Sequence, residues 1–155
     1  MNKSVAVINK DEGQAFWQPG GAGEYINIKV SPWNITDTQQ TVFMHELPVG
    51  SSVKEHCHEE GAEIFICLSG AGIMTIEGIA HSFVPETVVY IGKGNKHGIK
   101  AIGNESLRFM VVITPTGLEE RLKQMGRPKL PGDKAPEPFI SGASSESHGV
   151  RRDNY

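Results

Sequence analysis

Apolar side chains recur along this chain in short runs with a two-residue period. The segment 24–30 reads EYINIKV, in which isoleucine and valine alternate with polar residues. A period of two is that of a β-strand, because successive side chains of a strand point to opposite faces. Comparable runs lie at 41–47, 52–58, 63–68, 73–77, 83–84, 88–91, 97–102 and 107–114. The pattern predicts about nine or ten short strands and an all-β protein.

Glycine and proline interrupt these runs throughout. The chain has 18 glycines and 9 prolines, which favours short strands joined by turns over long helices. One short helix is predicted after residue 115, where leucine and methionine recur at helical spacing. Thr116 and Glu119 form a capping box at its start, and Gly126 ends it.

A length of 155 residues suits a single domain with a buried core. We distinguish N-terminal strands and loops at 1–39, a strand-rich barrel at 40–114, a short helix and extended segment at 115–140, and a tail at 141–155. The tail is predicted to be mobile, because its polar composition offers little apolar surface to bury.

The N-terminal segment contains two predicted strands. Residues 5–8 form a short strand-like run, and an irregular glycine-rich loop containing Trp17 follows. The alternation in 24–30 is that of a half-buried edge strand. Because an exposed strand edge invites pairing with another chain, we predict a homodimer that uses this strand.

Three potential metal ligands lie close together in a stretch that ends in a glycine turn. On a strand ending at His58, the side chains of His56 and His58 point to one face and that of Cys57 to the other. Residues 59–61 read as a tight turn, so the next strand returns as a hairpin and brings Glu63 beside the histidines. Two imidazoles and a carboxylate suit Fe(II), Mn(II) or Zn(II).

A fourth candidate ligand lies further along the chain. An apolar strand ends in a glycine turn at Gly94, after which His97 begins the next strand. A His-x-His pair alone is often solvated or hydrogen-bonded rather than metal-binding. The added glutamate and the second glycine-flanked histidine favour a metal site.

The stretch 50–70 resembles the first cupin motif at every fixed position. It contains a glycine, five residues, His-x-His, four residues, a glutamate, six residues and a glycine. The second cupin motif is matched less completely, through Gly94 and His97. Gly92 stands where the family usually has proline, and Ala101 where it usually has asparagine.

The resemblance covers roughly residues 40–114 and implies both a fold and a cofactor. The fold is a single cupin barrel, also called a jelly roll or double-stranded β-helix, with the metal inside a small antiparallel barrel. The cofactor is one divalent transition metal per chain, namely Fe, Mn, Ni or Zn, with Fe or Mn favoured. Its implied ligands are His56, His58, Glu63 and His97.

Similar cupins include dioxygenases, decarboxylases, lyases, isomerases and polyketide cyclases, so the fold does not choose the reaction. We expect an Fe(II)-type dioxygenase acting on a small hydrophobic or aromatic substrate, because Phe65, Cys67 and Met74 share the inward parity and would form an apolar pocket wall. One alternative is an isomerase, lyase or cyclase that uses the ion as a Lewis acid. Another is a non-enzymatic cupin that binds a metabolite.

Four residues have a candidate role beside or beyond metal binding. Lys54, if it points inward, would anchor a carboxylate or act as an acid or base; otherwise it is a solvated lysine. Glu63 would act as an acid or base as well as a ligand. His45 would line the pocket or be a hydrogen-bonded histidine of the sheet or an interface. A buried Cys67 is usually a small apolar residue rather than a nucleophile.

Charge and the first residues limit the expected partners. A net charge of -3 indicates no basic surface for nucleic acid or anionic membranes, so the expected partner is a small-molecule substrate. The apolar run at 5–8 is too short for the core of a signal peptide or for a transmembrane helix, so we expect a cytoplasmic protein. The opposite directions of Cys57 and Cys67 argue against a disulfide.

Overall fold

The computed structural model describes residues 5–21 and 23–141. Within this part of the chain the backbone forms eleven strands and one helix. The strands are β1 (Gln14–Trp17), β2 (Tyr25–Val30), β3 (Thr41–Leu47), β4 (Ser52–His56), β5 (Ala62–Ser69), β6 (Ala71–Ile76), β7 (Ile79–Phe83), β8 (Val88–Ile91), β9 (His97–Ile102), β10 (Leu107–Thr114) and β11 (Arg127–Lys129). The helix α1 (Leu118–Met125) lies between β10 and β11.

The strands form two antiparallel sheets. The larger sheet has the order β11-β1-β2-β3-β10-β5-β8, and the smaller has the order β4-β9-β6-β7. Both sheets contribute to one buried core, which includes Phe43 and Phe109 from the larger sheet and Met74 and Ile99 from the smaller. The predicted all-β jelly roll with a single short helix is confirmed.

Alternation along β3 and β10 explains how these neighbouring strands build the interior. Every second residue of β3, including Phe43 and His45, is buried, and the intervening residues are half-buried. The antiparallel register places Phe43 opposite Val111 and His45 opposite Phe109. Complete burial of a side chain as large as Phe109 stabilises the fold by roughly 2–3 kcal/mol. The same pattern brings a histidine into an otherwise apolar interior.

The N-terminal strands differ from their prediction. Residues 5–8 form no strand, and Trp17 belongs to β1 rather than to an irregular loop. β2 is not an edge strand, because β1 pairs with one of its sides and β3 with the other. Alternation could not reveal this, since it reports which faces of a strand are buried and not which edges are paired. The reason for placing a homodimer on this strand is therefore wrong, and the homodimer itself stays a prediction.

β4, which ends at His56, and β5, which contains Glu63, do not form the predicted hairpin. β4 pairs with β9 in the smaller sheet, whereas β5 pairs with β10 and β8 in the larger sheet. The connection 57–61 therefore crosses from one sheet to the other. A short polar turn can join the two strands of a hairpin or two strands that belong to different sheets. Which of the two forms depends on pairing with strands far away in the sequence.

The start of α1 also differs from the prediction. Its N-cap is Gly117 and no side chain caps it, so the capping role of Thr116 is wrong. Glu119 does reach back as expected: its Oε2 accepts hydrogen bonds from the Gly117 amide at 2.8 Å and from the Thr41 hydroxyl at 2.6 Å. The second bond fastens the helix to β3, and Gly126 forms the C-cap.

After the helix, β11 was not predicted; it pairs with β1 and extends the larger sheet. Apart from Ser141, the predicted mobile tail 141–155 lies outside the described residues. No helix in the described part of the chain is long and apolar enough to cross a membrane.

Candidate metal centre

The imidazoles of His56 and His58 come from the end of β4 and from the connection after it. β4 ends at His56, and the carbonyl of His58 accepts a hydrogen bond from the Gly94 amide at 2.8 Å. Gly94 has a φ of 73°, a left-handed conformation that glycine adopts without strain. The glycine turn before β9 thus fixes the backbone of the His58 stretch.

Glu63 and His97 come from two other strands. Glu63 lies in β5 and is 3% exposed, while His97 begins β9 and is 2% exposed. At the next position, a Cβ on Gly98 would lie only 3.0 Å from the Val53 carbonyl oxygen, so the missing side chain lets β9 approach β4 closely. This approach brings the rings of His97 and His56 to 4.5 Å between centroids.

The four predicted ligands converge. The ligand atoms of the three histidines, His56, His58 and His97, all lie within 4.8 Å of one another. Oε2 of Glu63 lies 2.9 Å from Nε2 of His97 and 3.4 Å from Nε2 of His58. Donors bound at about 2.1 Å to one ion are about 3.0–3.4 Å apart in octahedral or tetrahedral coordination. The two separations from Glu63 are therefore close to those of ligands that share an ion.

Backbone carbonyls orient two of the imidazoles. Nδ1 of His56 donates to the Lys54 carbonyl at 2.7 Å, and Nδ1 of His97 donates to the Asn95 carbonyl at 3.0 Å. A carbonyl can only accept, so Nδ1 carries the proton in both rings and Nε2 is left to face the site. Metal-ligating histidines are commonly held in this way.

Two buried atoms of the cluster lack aligned hydrogen bonds. Although Oε2 of Glu63 and Nε2 of His97 are close, neither has a hydrogen-bond partner within the described residues. Buried polar atoms are rarely left unsatisfied, because each costs the loss of its hydration. A cation placed between them would satisfy both, so the cluster fits a divalent metal ion.

The pKa values of two histidines shift in opposite directions. Burial lowers the pKa of His56 to about 4, although its bond to the Lys54 carbonyl opposes the change. Burial also acts to lower the pKa of His97, but the adjacent Glu63 carboxylate outweighs it, and the pKa is raised. His56 is therefore neutral near pH 7, whereas an ion entering the site competes with a proton for the His97–Glu63 pair.

Three of the four predicted ligands, His56, Glu63 and His97, line a cavity of about 430 Å³. Together with His58 we call them the metal-binding cluster, after the ion that their donor atoms fit. This volume is within the usual range for small-molecule sites. The rest of the lining is mainly apolar, with side chains from both sheets and from α1: Phe43, Phe65, Phe109, Val111, Val53, Met74, Ile99, Leu118, Leu122 and Met125.

The other predicted site residues are placed unequally. Phe65, Met74 and His45 line the cavity. Lys54 borders it but is exposed, and its carbonyl, through the bond to His56, is its contribution to the site. An acid–base role of Lys54 therefore stays a prediction.

The prediction that Cys67 lines the pocket is wrong. It is 1% exposed, belongs to the core and does not line the cavity. At its level the interior is filled: Phe109, its register partner, packs against Phe83 at 5.9 Å between ring centroids. Burial raises the pKa of the Cys67 thiol, which keeps it protonated and unreactive. Neither Cys57 nor Cys67 is in a disulfide.

Sequence reasoning missed several parts of the cavity. Glu24 lines it and pairs with His45, with Oε1 and Nε2 2.8 Å apart. Its parity with the buried Ile26 and Ile28 was a usable signal. Helix α1 also contributes, through long-range packing that no local pattern reports.

Similarity to known proteins places this architecture in a family. The cupin domain model of the Cupin_2 family matches residues 43–113. An uncharacterized protein of Methanocaldococcus jannaschii is 32% identical over 93 residues, which cover 60% of this chain and 74% of that protein. The chain belongs to the cupin superfamily. A solved structure described as a predicted oxalate decarboxylase from Thermotoga maritima matches this cupin with a TM-score of 0.61 at 25% identity, over 72% of this chain and 100% of that one.

Two further relatives have functional names. An oxalate-binding protein of Thermotoga maritima is 37% identical over 68 residues, which cover 44% of this cupin and 56% of the relative. The tetracenomycin polyketide synthase protein TcmJ of Streptomyces glaucescens is 24% identical over 97 residues, covering 63% and 65% respectively. The matched region thus spans less than two thirds of the length of either relative.

Proposed function

We propose that this cupin is a metal-dependent enzyme acting on a small hydrophobic or aromatic compound, and that the reaction is a dioxygenation. The observation behind this proposal is that four donors converge and that three of them line a cavity whose other walls are mainly apolar. Such a cavity favours a substrate that binds the metal through oxygen and buries an apolar body.

The residues that would hold the ion are His56, His58, Glu63 and His97. Nitrogen and oxygen donors in this mixture suit Fe or Mn, with Ni and Zn as weaker fits. A bound Fe(II) would supply Lewis acidity and redox chemistry.

The chain's own residues prepare the site for this chemistry. The carbonyls of Lys54 and Asn95 fix the two imidazoles that they bind, so the donors need not reorganise. Phe65 and Phe109 line the cavity with apolar surface against which an aromatic ring could pack. Glu63 can accept a proton from a substrate hydroxyl, because its carboxylate lies at the junction of two imidazoles.

A second candidate is an isomerase, lyase or cyclase that needs only Lewis acidity. It is favoured by the buried His45–Glu24 pair, which could take up a proton inside the cavity. Similarity to a polyketide synthase protein is in keeping with this reaction class. A non-enzymatic binding role is a third candidate, since one relative is named as an oxalate-binding protein.

Oxygen dependence distinguishes these reactions. Iron-loaded protein should consume oxygen with at least one compound from a panel of catechols, diketones and hydroxy-aromatic acids. It should also bind nitric oxide and give a paramagnetic signal that changes when the compound is added. Suppose instead that the manganese or zinc form turns over a compound anaerobically, while the iron form neither consumes oxygen nor binds nitric oxide. The Lewis-acid enzyme would then be favoured over the dioxygenase. No turnover of any kind with tight ligand binding would indicate the binding role.

A further inference from the structure

A second polar group faces the same cavity from the larger sheet. Nε2 of His45 and Oε1 of Glu24 are 2.8 Å apart, and each side chain is 11% exposed. His45 lies in the middle of β3, and Glu24 directly precedes β2, the strand paired with β3. Both residues line the cavity. We call them the Glu24–His45 dyad.

Neighbouring side chains fix the orientation of the dyad, and His45 can form one further hydrogen bond. The His45 ring packs against Phe109 at 4.8 Å and lies 6.4 Å from Phe43, so its orientation is set by aromatic neighbours. Within residues 5–21 and 23–141, its bond to Glu24 is the one hydrogen bond of the imidazole. The other ring nitrogen, Nδ1, therefore remains available to a molecule in the cavity.

Fold stability gives little reason for a dyad at this place. Pairing a buried histidine with a carboxylate roughly offsets the cost of dehydrating both, and an apolar pair of similar volume would serve the core as well or better. The surrounding positions of the same strands are filled by Ile26, Ile28 and Phe43. A polar pair that interrupts this apolar surface and opens onto a cavity is better explained by a ligand.

Aromatic side chains separate the dyad from the metal-binding cluster. Phe109 lies next to His45, Phe65 lies 6.1 Å from Phe109, and His97 lies 5.6 Å from Phe65, all between ring centroids. A ligand that contacts both polar groups must therefore cross these two phenylalanine faces. Its body has to be apolar and flat, and its polar atoms have to lie at its two ends.

We propose that the Glu24–His45 dyad binds a hydroxyl group of the substrate remote from the oxygens that bind the metal. This rests on the proposed function, because it assumes that the other end is anchored at the metal. The substrate class is then an aromatic compound of two or three rings with oxygens at both ends. The cavity volume accommodates on the order of 15–20 non-hydrogen atoms. Oxalate, with two carboxylates and no apolar body, would leave most of this space unfilled.

Two matched compounds test the proposal. 2-Naphthoic acid offers a carboxylate for the metal and an apolar body, and 6-hydroxy-2-naphthoic acid adds one hydroxyl at the far end. The dissociation constants of both are measured by calorimetry on zinc-loaded protein. We expect the wild type to bind the hydroxy compound about tenfold more tightly, as for a hydrogen bond to a charged group.

The variants His45→Gln and Glu24→Gln should lose this preference. Both should still bind 2-naphthoic acid within about twofold of the wild type and keep one metal ion per chain. The matched control is Tyr25→Phe, which removes a hydrogen bond between the same two strands: the Tyr25 hydroxyl donates to Glu46 at 2.9 Å, and neither residue lines the cavity. This control should keep the full hydroxyl preference. A loss of the preference in the two dyad variants could then not be attributed to weaker pairing between β2 and β3.

The outcomes separate the two proposals. A tenfold preference that survives in both dyad variants, or no preference in the wild type, overturns the role of the dyad. Failure of both naphthoates to bind overturns the substrate class. If metal-free protein binds each compound as tightly as zinc-loaded protein does, while the hydroxyl preference still depends on His45, the dyad stands and the metal anchor of the proposed function fails.

Discussion

Two imidazole–carboxylate groups face one cavity, and they are built in opposite ways. In the Glu24–His45 dyad a single hydrogen bond of 2.8 Å joins the two side chains. In the metal-binding cluster, Glu63 and His97 approach to 2.9 Å, yet their facing atoms have no aligned hydrogen bond within the described residues. An imidazole and a carboxylate thus form a hydrogen bond in the dyad, whereas in the metal-binding cluster they are close without one.

The difference distinguishes a self-contained pair from an incomplete one. A buried carboxylate that hydrogen-bonds one histidine has its partner already. Glu63 lies among three imidazoles, two of which have Nδ1 bonded to backbone carbonyls. Its Oε2 and the Nε2 of His97 lack a hydrogen-bond partner among the described residues. Imidazoles held in this way by backbone carbonyls are expected of metal ligands.

The largest expected effect is the loss of metal. The double change His56→Ala with His58→Ala removes two of four donors and should reduce bound metal from one ion per chain to less than about 0.1, as measured by elemental analysis of protein purified without chelators. Glu24→Gln, at the dyad, is the control and should retain a full equivalent. Full metal content in the double variant would show that these histidines are not the ligands.

A smaller effect is expected from changing one carboxylate at each group. Glu63→Gln removes the only charged donor of the cluster and should weaken metal binding at least about tenfold, whereas Glu24→Gln should leave it unchanged. Competition titration with a fluorescent chelator measures both. Equal affinities for the two variants would mean that Glu63 is paired with His97 alone, as Glu24 is with His45.

The smallest effect concerns the frame that holds the dyad. Burial raises the pKa of Tyr25 from 10.0 to about 12, helped by its hydrogen bond to Glu46 and by the charge of that carboxylate. A raised pKa in the folded protein means that the stabilisation is present below pH 10 and is lost as the pH rises towards 12. Wild-type protein should therefore lose stability between pH 10 and 12 more steeply than Tyr25→Phe in urea unfolding.

Parallel unfolding curves for the two proteins across this pH range would show that Tyr25 is not shifted. Below pH 10 the variant should be less stable by at most about 1 kcal/mol, the usual value of one hydrogen bond. Because this bond lies on the outer side of β2 and β3, neither result should alter metal content.

Much of this architecture was predictable because its signals are local. The bounds of β3, β8, β9 and β10 follow from alternation and turn residues. The spacing from His56 to Glu63 and the glycine turn before His97 indicated the ligand set. The face of each strand residue is decided by the two-residue period, and this period is written in the sequence.

Only the tertiary structure decided which strands are neighbours. β4 pairs with β9 rather than with β5, and β2 is covered on both edges, because pairing depends on residues distant in the chain. The sequence could not predict the depth of the cavity for the same reason. Cys67 lies on the same face of β5 as Phe65, but at its level Phe83 and Phe109 fill the barrel. The dyad likewise exists only because β2 lies against β3, which brings a carboxylate and an imidazole 21 residues apart into contact.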